Sequence, residues 1–252
     1  MKLAVAGGTG TVGTHVVDVA REHGHEVVVL TRSNGVDLLT GAGLAEALAG
    51  VEVVIDTSNI TTLSAAKAVA FFTTATRTLL AAERAAGVRH HVALSIVGVD
   101  RAPYDYYAGK LAQERAVEGQ TDVPWTIQRT TQFHEFAGQM LAQLSFGPFH
   151  VVPSIPSAPV AAREVAERLV ALAEGGAVGR ARDLGGPRDE RLPDMVRGLV
   201  RRTGVRGPVI PVVLPTAQLR AMRRGAAMPD ADADRSAQTF EEWLAAEHPQ
   251  RP

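Results

Sequence analysis

The sequence predicts an α/β protein built around a doubly wound parallel sheet, on three observations. Short apolar segments alternate with helix-periodic segments through the first half of the chain. The apolar segments are nearly continuous, as in strands that helices cover on both faces. A glycine-rich run joins the first of these segments to the first helical one.

The predicted elements then follow in strand and helix order, and Gly24 marks the end of the first helix. The predicted strands are KLAVAG, EVVVLT, VEVVID, HHVALS and PWTIQR. The predicted helices are VGTHVVDVAREHG, GLAEALAG, SAAKAVAFFTTATRTLLAAERAAG and a segment that begins near DYYAGK.

The pattern changes near residue 132, where prolines interrupt FGPFHVVPSIPSAPV. Further helices are predicted at AAREVAERLVALAEGG, LPDMVRGLVRR and TFEEWLAAE. We therefore predict a sheet-containing core at residues 1–131 and a smaller cap at residues 132–252. The cap would lie across the carboxyl ends of the strands and form a single integrated domain with the core.

Composition excludes several classes of protein. The chain has 252 residues and no cysteine, which excludes disulfides, thiolate metal ligands and cysteine nucleophiles. A net charge of −1 lacks the excess of Lys and Arg that nucleic acid or an anionic membrane requires. Because no apolar run suffices for a membrane span and glycines interrupt the first one, we expect a cytoplasmic protein without a signal peptide. We expect a small-molecule substrate and a monomer or homodimer, with the helix at 64–86 as the pairing surface.

The run GGTGTVG is the first chemical signal. Gly7, Gly10 and Gly13 are spaced three apart, and Gly8, Gly10 and Gly13 also match the dinucleotide fingerprint. Glycines allow a sharp turn and a close approach to a pyrophosphate, which the following helix N-terminus then binds. The predicted cofactor-binding residues here are Gly7, Thr9, Gly10, Thr11, Val12 and Gly13.

Arg32 is the second signal. It directly follows the second predicted strand and lies 32 − 13 = 19 positions after Gly13. An NAD-preferring site has an acid about 20 residues beyond the glycines. A guanidinium there suits a 2′-phosphate instead, and Ser33 adds a hydroxyl donor. We therefore predict NADP(H) over NAD(H), while stacking of Arg32 on adenine is the alternative.

Seven segments, in this order, resemble the atypical, NmrA-like branch of the short-chain dehydrogenase/reductase superfamily: GGTGTVG, LTRS, ALAGVEVVID, LLAAERAAGVRHHVALSIVG, YYAGKLAQERAV, VPWTIQRTTQF and DLGGP. The resemblance implies a doubly wound parallel Rossmann sheet, NAD(P) across the strand ends and a small C-terminal substrate-binding cap. That branch contains quinone and other NADPH-dependent reductases. It also contains members similar to redox-sensing regulators that bind the cofactor without doing chemistry.

Tyr106 and Lys110 are four positions apart on a predicted helix and so share a face. A nearby ammonium lowers the pKa of a tyrosine and makes it a better proton donor to a carbonyl. The resemblance implies a catalytic Tyr-x-x-x-Lys pair with a serine from the preceding strand, here Ser95. The alternative is a packing tyrosine beside Tyr107, in which case Lys110 still binds the nicotinamide ribose.

Further candidates follow the other strands. The strand VEVVID is followed directly by Thr57, Ser58 and Asn59. These residues should lie over the cofactor phosphates or ribose. Asp37 resembles the adenine-side acid of the family. A substrate site is predicted from residues that follow PWTIQR, with His134 as a second acid or a structural histidine: Gln132, Phe133 and His134. His90 and His91 begin a strand at the opposite end of the sheet and are expected on the surface.

The segment DADADRSAQTFE has acids at EF-hand positions, but Arg235 occupies the position where that loop needs glycine. We predict no metal, and instead a helix start with Thr239 as N-cap and Glu242 as its capping-box partner.

Two functions follow from these observations. The first is an NADPH-dependent oxidoreductase that transfers hydride to a small conjugated carbonyl or quinone, with Tyr106 as the proton donor. The second is a non-catalytic NADP-binding redox sensor, which has no use for the Tyr106 hydroxyl. A nucleotide-sugar epimerase or dehydratase ranks lower, because the predicted cap is small for such a substrate.

Overall fold

The computed structural model describes residues 1–249 of the chain. Its strands are β1 (Lys2–Ala6), β2 (Glu26–Leu30), β3 (Val53–Asp56), β4 (His90–Ile96), β5 (Trp125–Thr130), β6 (Ser145–Phe146), β7 (Phe149–Pro153), β8 (Pro156–Ser157), β9 (Gly179–Arg180), β10 (Leu184–Gly185), β11 (Glu190–Arg191), β12 (Val209–Val212) and β13 (Asp234–Arg235). Its α-helices are α1 (Thr11–Glu22), α2 (Leu44–Ala47), α3 (Ala65–Ala86), α4 (Asp105–Glu118), α5 (Phe136–Gln143), α6 (Ala162–Gly175), α7 (Leu192–Thr203), α8 (Ala217–Arg223) and α9 (Phe240–Glu247).

The main sheet is parallel throughout and has the order β2-β1-β3-β4-β5-β10-β13, with β9 also paired to β5. Since β1 has β2 on one side and β3 on the other, the connections reverse direction at β1. Ligands of open α/β sheets bind at such a switch point, outside the carboxyl ends of the strands. The predicted doubly wound sheet is confirmed.

Helices cover both faces of this sheet. Side chains of α1 and α6 bury one face together with alternate residues of β1, β3 and β4, such as Leu3, Val5 and Ile55. The opposite face packs on α2, α3 and α4 through residues such as Leu44, Leu79 and Val117. This two-sided burial is the reason for the continuous apolar strands in the sequence.

The segment after residue 131 divides between two cores. α6 covers the main sheet, and β9, β10 and β13 extend it. A second core forms from α5, α7, α9 and β7, and it includes Tyr107 at the start of α4. Residues after 131 therefore contribute both to the main sheet and to the second core.

Small sheets and the final helix complete the second core. β6, β7 and β12 form a three-stranded sheet, and β8 pairs with β11. The predicted capping box is confirmed: Thr239 Oγ1 accepts from the Glu242 amide, and the Glu242 carboxylate accepts from the Thr239 amide at 2.8 Å. None of the helices in residues 1–249 combines the length and apolar character of a membrane span.

The packing of α3 against α4 requires a glycine at position 109. A Cβ built on Gly109 would lie 2.6 Å from the carbonyl carbon and from the Cβ of Ala68 on α3. Both contacts are shorter than side-chain adjustment can relieve, so the helices would have to separate. This contact holds α4, and with it Tyr106 and Lys110, close to α3.

We predict that Gly109→Ala lowers the free energy of unfolding by about 1–3 kcal/mol, because overpacking displaces backbone. Gly175→Ala is the matched control, since a Cβ at the end of α6 meets no atom within 4 Å. Urea denaturation of both variants checks the prediction. Equal stability of the two variants would show that α3 and α4 are not in contact as described.

Candidate functional site

The glycine turn after β1 forms the floor of the site. Gly7 has a φ of +73°, and its Cβ would lie 2.6 Å from the Thr57 carbonyl oxygen. A Cβ on Gly13 would lie 2.1 Å from the Gly7 carbonyl oxygen. The tight turn therefore uses Gly7, Gly10 and Gly13, while Gly8 packs against the side chain of Val29. The backbone conformation is that of the set Gly7, Gly10 and Gly13, which are among the predicted cofactor-binding residues.

The N-terminus of α1 is open toward this turn. Gly10 is the N-cap residue, no side chain caps the helix, and no acid lies in its first turn. The amides of Thr11, Val12 and Gly13 thus remain available, and they carry the positive end of the helix dipole. This arrangement suits a pyrophosphate.

The loop after β3 borders the same crevice. Thr57 Oγ1 donates to the Ala6 carbonyl at 2.8 Å, which ties the end of β3 to the end of β1. The Ser58 amide donates to Asp56 Oδ1 at 2.8 Å, and the Ser58 hydroxyl is buried without a partner in the described residues. Both predicted residues therefore lie at the strand end expected to contact the cofactor.

The turn after β2 forms a further side of the crevice. Arg32 and Ser33 lie in an exposed 3₁₀ turn, next to the glycine turn because Leu30 pairs with Ala6 in the sheet. The Ser33 hydroxyl pairs with that of Thr31 at 2.9 Å. Asp37 instead caps its own turn, since its Oδ1 accepts from the Leu39 amide at 2.7 Å.

Tyr106 lies at the rim of the crevice but is not paired with Lys110. Its Oη donates to Asn59 Oδ1 at 2.7 Å, and its ring contacts Phe72 edge-on at 5.6 Å between centroids. Burial raises the pKa of Tyr106 above its usual value, and Tyr107 and Asp56 add to the shift. The expected lowering of this pKa is wrong for this structure, which holds a protonated phenol.

Lys110 is turned into the protein. Its Nζ donates to the Leu94 carbonyl at 2.6 Å and to Gln113 Oε1, and it lies 4.8 Å from the Phe72 ring centroid. Burial lowers the pKa of Lys110 to about 8, against the opposing effect of Asp56. The ammonium is thus committed to the interior, rather than turned toward a ribose as expected.

Asp56 and Gln113 continue the buried series of hydrogen bonds that begins at Lys110. Neither residue is among the candidates predicted from the sequence. Gln113 Nε2 donates to Asp56 Oδ2 at 2.8 Å, so Lys110 is connected through Gln113 to the end of β3. A charged residue that ends an otherwise apolar strand was the available signal for Asp56. Gln113 shares a face of α4 with Lys110 at i,i+3 spacing.

Ser95 does not reach Tyr106. Its Oγ donates to Glu114 Oε1 at 2.5 Å, and Glu114 also binds Arg129 at 2.7 Å and Arg180 at 3.0 Å. Ser95 is buried under the second and third turns of α4, whereas Tyr106 lies at the first turn. The expected Ser95 and Tyr106 pair is therefore not assembled, because the short spacing carries the serine to a different turn of the helix.

The residues after β5 separate into two groups. Gln132 Nε2 donates to the Tyr107 hydroxyl at 3.0 Å, and Gln132 Oε1 accepts from Ser157 at 3.2 Å. Phe133 pairs through its backbone with Val160 and packs against the core of the main sheet. Gln132 therefore lies beside Tyr107 and Ser157, which the sequence analysis did not select.

His134 is a structural histidine. It is fully buried, its Nε2 pairs with the Gln238 carbonyl at 3.2 Å, and its ring packs against Phe240 and Trp243. Burial lowers its pKa to about 4, so the ring is neutral at neutral pH. Its expected place in a substrate site is not the one observed.

The surface prediction for His90 and His91 is wrong. Both are buried at the amino end of β4: His90 Nε2 pairs with Thr126 Oγ1 at 2.9 Å, and His91 Nδ1 pairs with Glu83 at 2.8 Å. The end of the strand is not exposed here, because α3 packs against it through Glu83 and β5 through Thr126.

The acids near the C-terminus are engaged in ion pairs. Asp230 pairs with Arg101 at 2.7 Å, and Asp234 lies in β13 and pairs with Arg168 at 2.8 Å. A strand at this position is incompatible with the turning loop of an EF-hand, so the acids do not form one calcium loop.

Comparison with known proteins identifies the family. A model of the NAD(P)H-binding family matches residues 7–173, so the chain belongs to this family and a nicotinamide dinucleotide is its cofactor. The nicotinamide-binding family and the fold that the resemblance to the atypical short-chain dehydrogenase/reductase superfamily implies are confirmed. No curated protein sequence matches the chain significantly.

Solved structures share the whole fold at low sequence identity. A triphenylmethane reductase from Citrobacter sp. has a TM-score of 0.73 at 19% identity, covering 98% of this chain and 99% of that chain. An NADPH-dependent quinone oxidoreductase from Escherichia coli, complexed with NADPH, has a TM-score of 0.72 at 17% identity, covering 97% and 99%. A UDP-glucose 4-epimerase from Thermus thermophilus, complexed with NAD, has a TM-score of 0.68 at 21% identity, covering 98% and 93%. The fold is thus common to reductases and epimerases.

We predict a pH-dependent loss of stability from His134. Because its pKa is about 4 in the fold and about 6.5 in the unfolded chain, the unfolded state binds more protons between these values. The free energy of unfolding should therefore be fully present above pH 6.5 and decrease as pH falls toward 4, by roughly 1–3 kcal/mol. Urea denaturation across this range measures the decrease.

His134→Gln should show a shallower decrease, since an amide can donate to the Gln238 carbonyl without titrating. The decrease should not vanish, because burial also lowers the pKa of His90 to about 4. His15→Gln is the control and should retain the native dependence. A native pH dependence in His134→Gln would contradict the assignment.

Proposed function

We propose that the protein is an NADPH-dependent oxidoreductase that transfers hydride to a small conjugated carbonyl or quinone. The observation that carries the proposal is the Tyr106 hydroxyl at the rim of the cofactor crevice, which is bonded to Asn59 at 2.7 Å and is not paired with the Lys110 ammonium. A neutral phenol donates a hydrogen bond or a proton to an oxygen that gains charge when its carbon accepts hydride. Reduction is the direction that uses this protonation state.

The same observation weighs against an epimerase or dehydratase. Those reactions begin with oxidation of a sugar hydroxyl, which requires a base to take its proton. A phenolate base needs a lowered pKa, and here no ammonium lies on the Tyr106 oxygen, because Lys110 Nζ donates to Leu94 and Gln113. We therefore base the proposed reaction on the reductases with this fold rather than on the epimerases and dehydratases that share it.

Lys110 has a positioning role in this proposal. Its bond to the Leu94 carbonyl ties the second turn of α4 to β4, and its contact with Phe72 ties it to α3. Phe72 in turn packs against the Tyr106 ring. Lys110 thus orients the phenol through Phe72 and the helix, rather than through its charge.

NADPH is proposed as the reductant because of Arg32. Its exposed guanidinium follows β2 next to the open N-terminus of α1, where the adenine ribose of a bound dinucleotide would lie. Ser33 adds a hydroxyl at the same turn. The expected acid of an NAD site is absent from this turn, whose residues are Arg32, Ser33 and Asn34.

The proposed substrate class follows from the surroundings of Tyr106. Phe72, Tyr106 and Tyr107 form a chain of edge-on aromatic contacts, with centroids 5.6 and 6.4 Å apart. Phe72 and Tyr107 are buried behind Tyr106, whose partly exposed ring offers a flat surface for an aromatic or conjugated acceptor. Gln132, held by Tyr107 and Ser157, is the proposed polar contact to the acceptor.

We predict that Tyr106→Phe lowers kcat for conjugated carbonyl acceptors by about 100-fold or more, because it removes the acid. The loss with quinones should be smaller, since the reduced quinone is a stabilised anion that needs less proton assistance. Tyr104→Phe is the matched control, because Tyr104 is an exposed residue that directly precedes α4, and it should change kcat little. The decrease of NADPH absorbance in the presence of each acceptor measures these rates.

Two outcomes would overturn the proposal. Unchanged kcat in Tyr106→Phe for every acceptor would remove Tyr106 from the chemistry. Tight NADPH binding with no acceptor reduced by the native protein would favour the redox-sensor function.

We predict that Arg32→Gln raises the KM for NADPH at least about 10-fold and leaves the KM for NADH nearly unchanged, because the 2′-phosphate loses a charge-assisted contact. Arg21→Gln in the last turn of α1 is the control for lost positive charge and should alter neither KM. Equal effects of Arg32→Gln on both cofactors would indicate stacking on adenine rather than recognition of the phosphate.

A further inference from the structure

Two imidazoles and a carboxylate meet at the end of α1 that is remote from the glycine turn. His23 is the C-cap residue of α1, His25 precedes β2, and Glu174 lies in the last turn of α6. α1 separates this cluster from the cofactor crevice by about 18 Å, the length of a 12-residue helix. The cluster therefore has no part in the proposed hydride transfer.

The three side chains converge on one point. Glu174 Oε1 lies 2.9 Å from His23 Nδ1 and 2.8 Å from His25 Nε2, and the three atoms lie within 4.8 Å of one another. The hydrogen bonds from both imidazoles lower the pKa of the Glu174 carboxyl. A full negative charge and two imidazole nitrogens thus face a shared centre at neutral pH.

The backbone holds the two histidines in fixed positions. Gly24 has a φ of +79°, its amide donates to the Arg21 carbonyl at 2.9 Å, and the His25 amide donates to the Ala20 carbonyl at 3.0 Å. These two bonds form a Schellman motif, which ends the helix in a defined geometry. His23 and His25 flank this turn and so both project from a rigid element.

Packing fixes Glu174 against them. Ala173, its neighbour in α6, is buried in the same core as Ala20 and Val19 of α1. The His25 side chain is 10% exposed and the Glu174 side chain 36% exposed. The site is thus anchored on one side by the core and open to solvent on the other.

We propose that His23, His25 and Glu174 bind a zinc-type divalent cation. Two histidines and one glutamate are ligands that zinc takes at about 2.0–2.2 Å, with a water in the fourth position of a tetrahedron. Ligand atoms around such an ion are about 3.3–3.5 Å apart. The observed nitrogen to oxygen distances need to open by roughly half an ångström, and a rotation of the partly exposed Glu174 side chain supplies this change.

The bound cation would link segments that are distant in the chain. The turn between α1 and β2 would be joined to the end of α6, which covers the same face of the sheet. A cation that binds the folded chain and not the unfolded chain raises the stability of the fold by mass action. The role of the bound cation is therefore structural. It would stabilise the C-terminal end of α1, the helix whose N-terminal end forms part of the cofactor site.

Titration of the untagged, full-length protein with Zn²⁺, followed calorimetrically, tests the proposal. Co²⁺ serves as the spectroscopic probe, since a tetrahedral site gives strong visible absorption. One equivalent of either ion should bind, and Zn²⁺ should raise the melting temperature.

The variants separate this site from other ligands on the surface. His25→Ala and Glu174→Gln should each weaken Zn²⁺ binding at least about 10-fold, and Glu174→Gln retains an acceptor for the imidazole hydrogen bonds. His15→Ala on α1 and Glu167→Gln on α6 are matched controls outside the cluster, and both should bind as the native protein does. The absence of binding in the native protein overturns the proposal, as does binding that survives in both cluster variants.

Discussion

The close backbone contact between the glycine turn and the loop after β3 is the constraint on which the site depends. At the switch point three strand ends converge, and the space between them is filled by backbone. Gly7 and Gly13 leave no room for a Cβ, and Thr57 secures the loop by its bond to the Ala6 carbonyl. The open amides of α1 and the loop that bears Asn59 are held in register by this contact. The cofactor crevice is thus a consequence of how closely β1 and β3 can approach.

The second determinant is the polar side of α4 that the fold buries. Lys110, Gln113 and Glu114 are all nearly inaccessible, and each is satisfied by a different partner on the sheet. Buried polar groups of this kind are costly unless each is paired, and a complete set of partners fixes one arrangement of the helix. The orientation of Tyr106 toward Asn59 therefore depends on contacts about one and two turns further along α4.

The fold alone does not select a reaction. Reductases and epimerases share this architecture with the chain at 17–21% identity. In the proposed function the two chemistries are separated by the hydroxyl of Tyr106, which is bonded to Asn59 while the Lys110 ammonium is bonded to Leu94. The functional proposal therefore depends on the geometry around Tyr106 and not on likeness of fold.

The sequence by itself determined the succession of strands and helices along the chain, the glycine turn and the placement of Arg32 after β2. Periodicity, glycine spacing and strand ends are local features, and parallel strands bring their carboxyl ends to one edge. Only the tertiary structure decided that Ser95 binds Glu114 and that Lys110 faces inward. It also brought Glu174 to the two histidines, although 149 positions of chain separate it from His25. Contacts of this kind arise from helix packing against a shared core, and no local pattern encodes them.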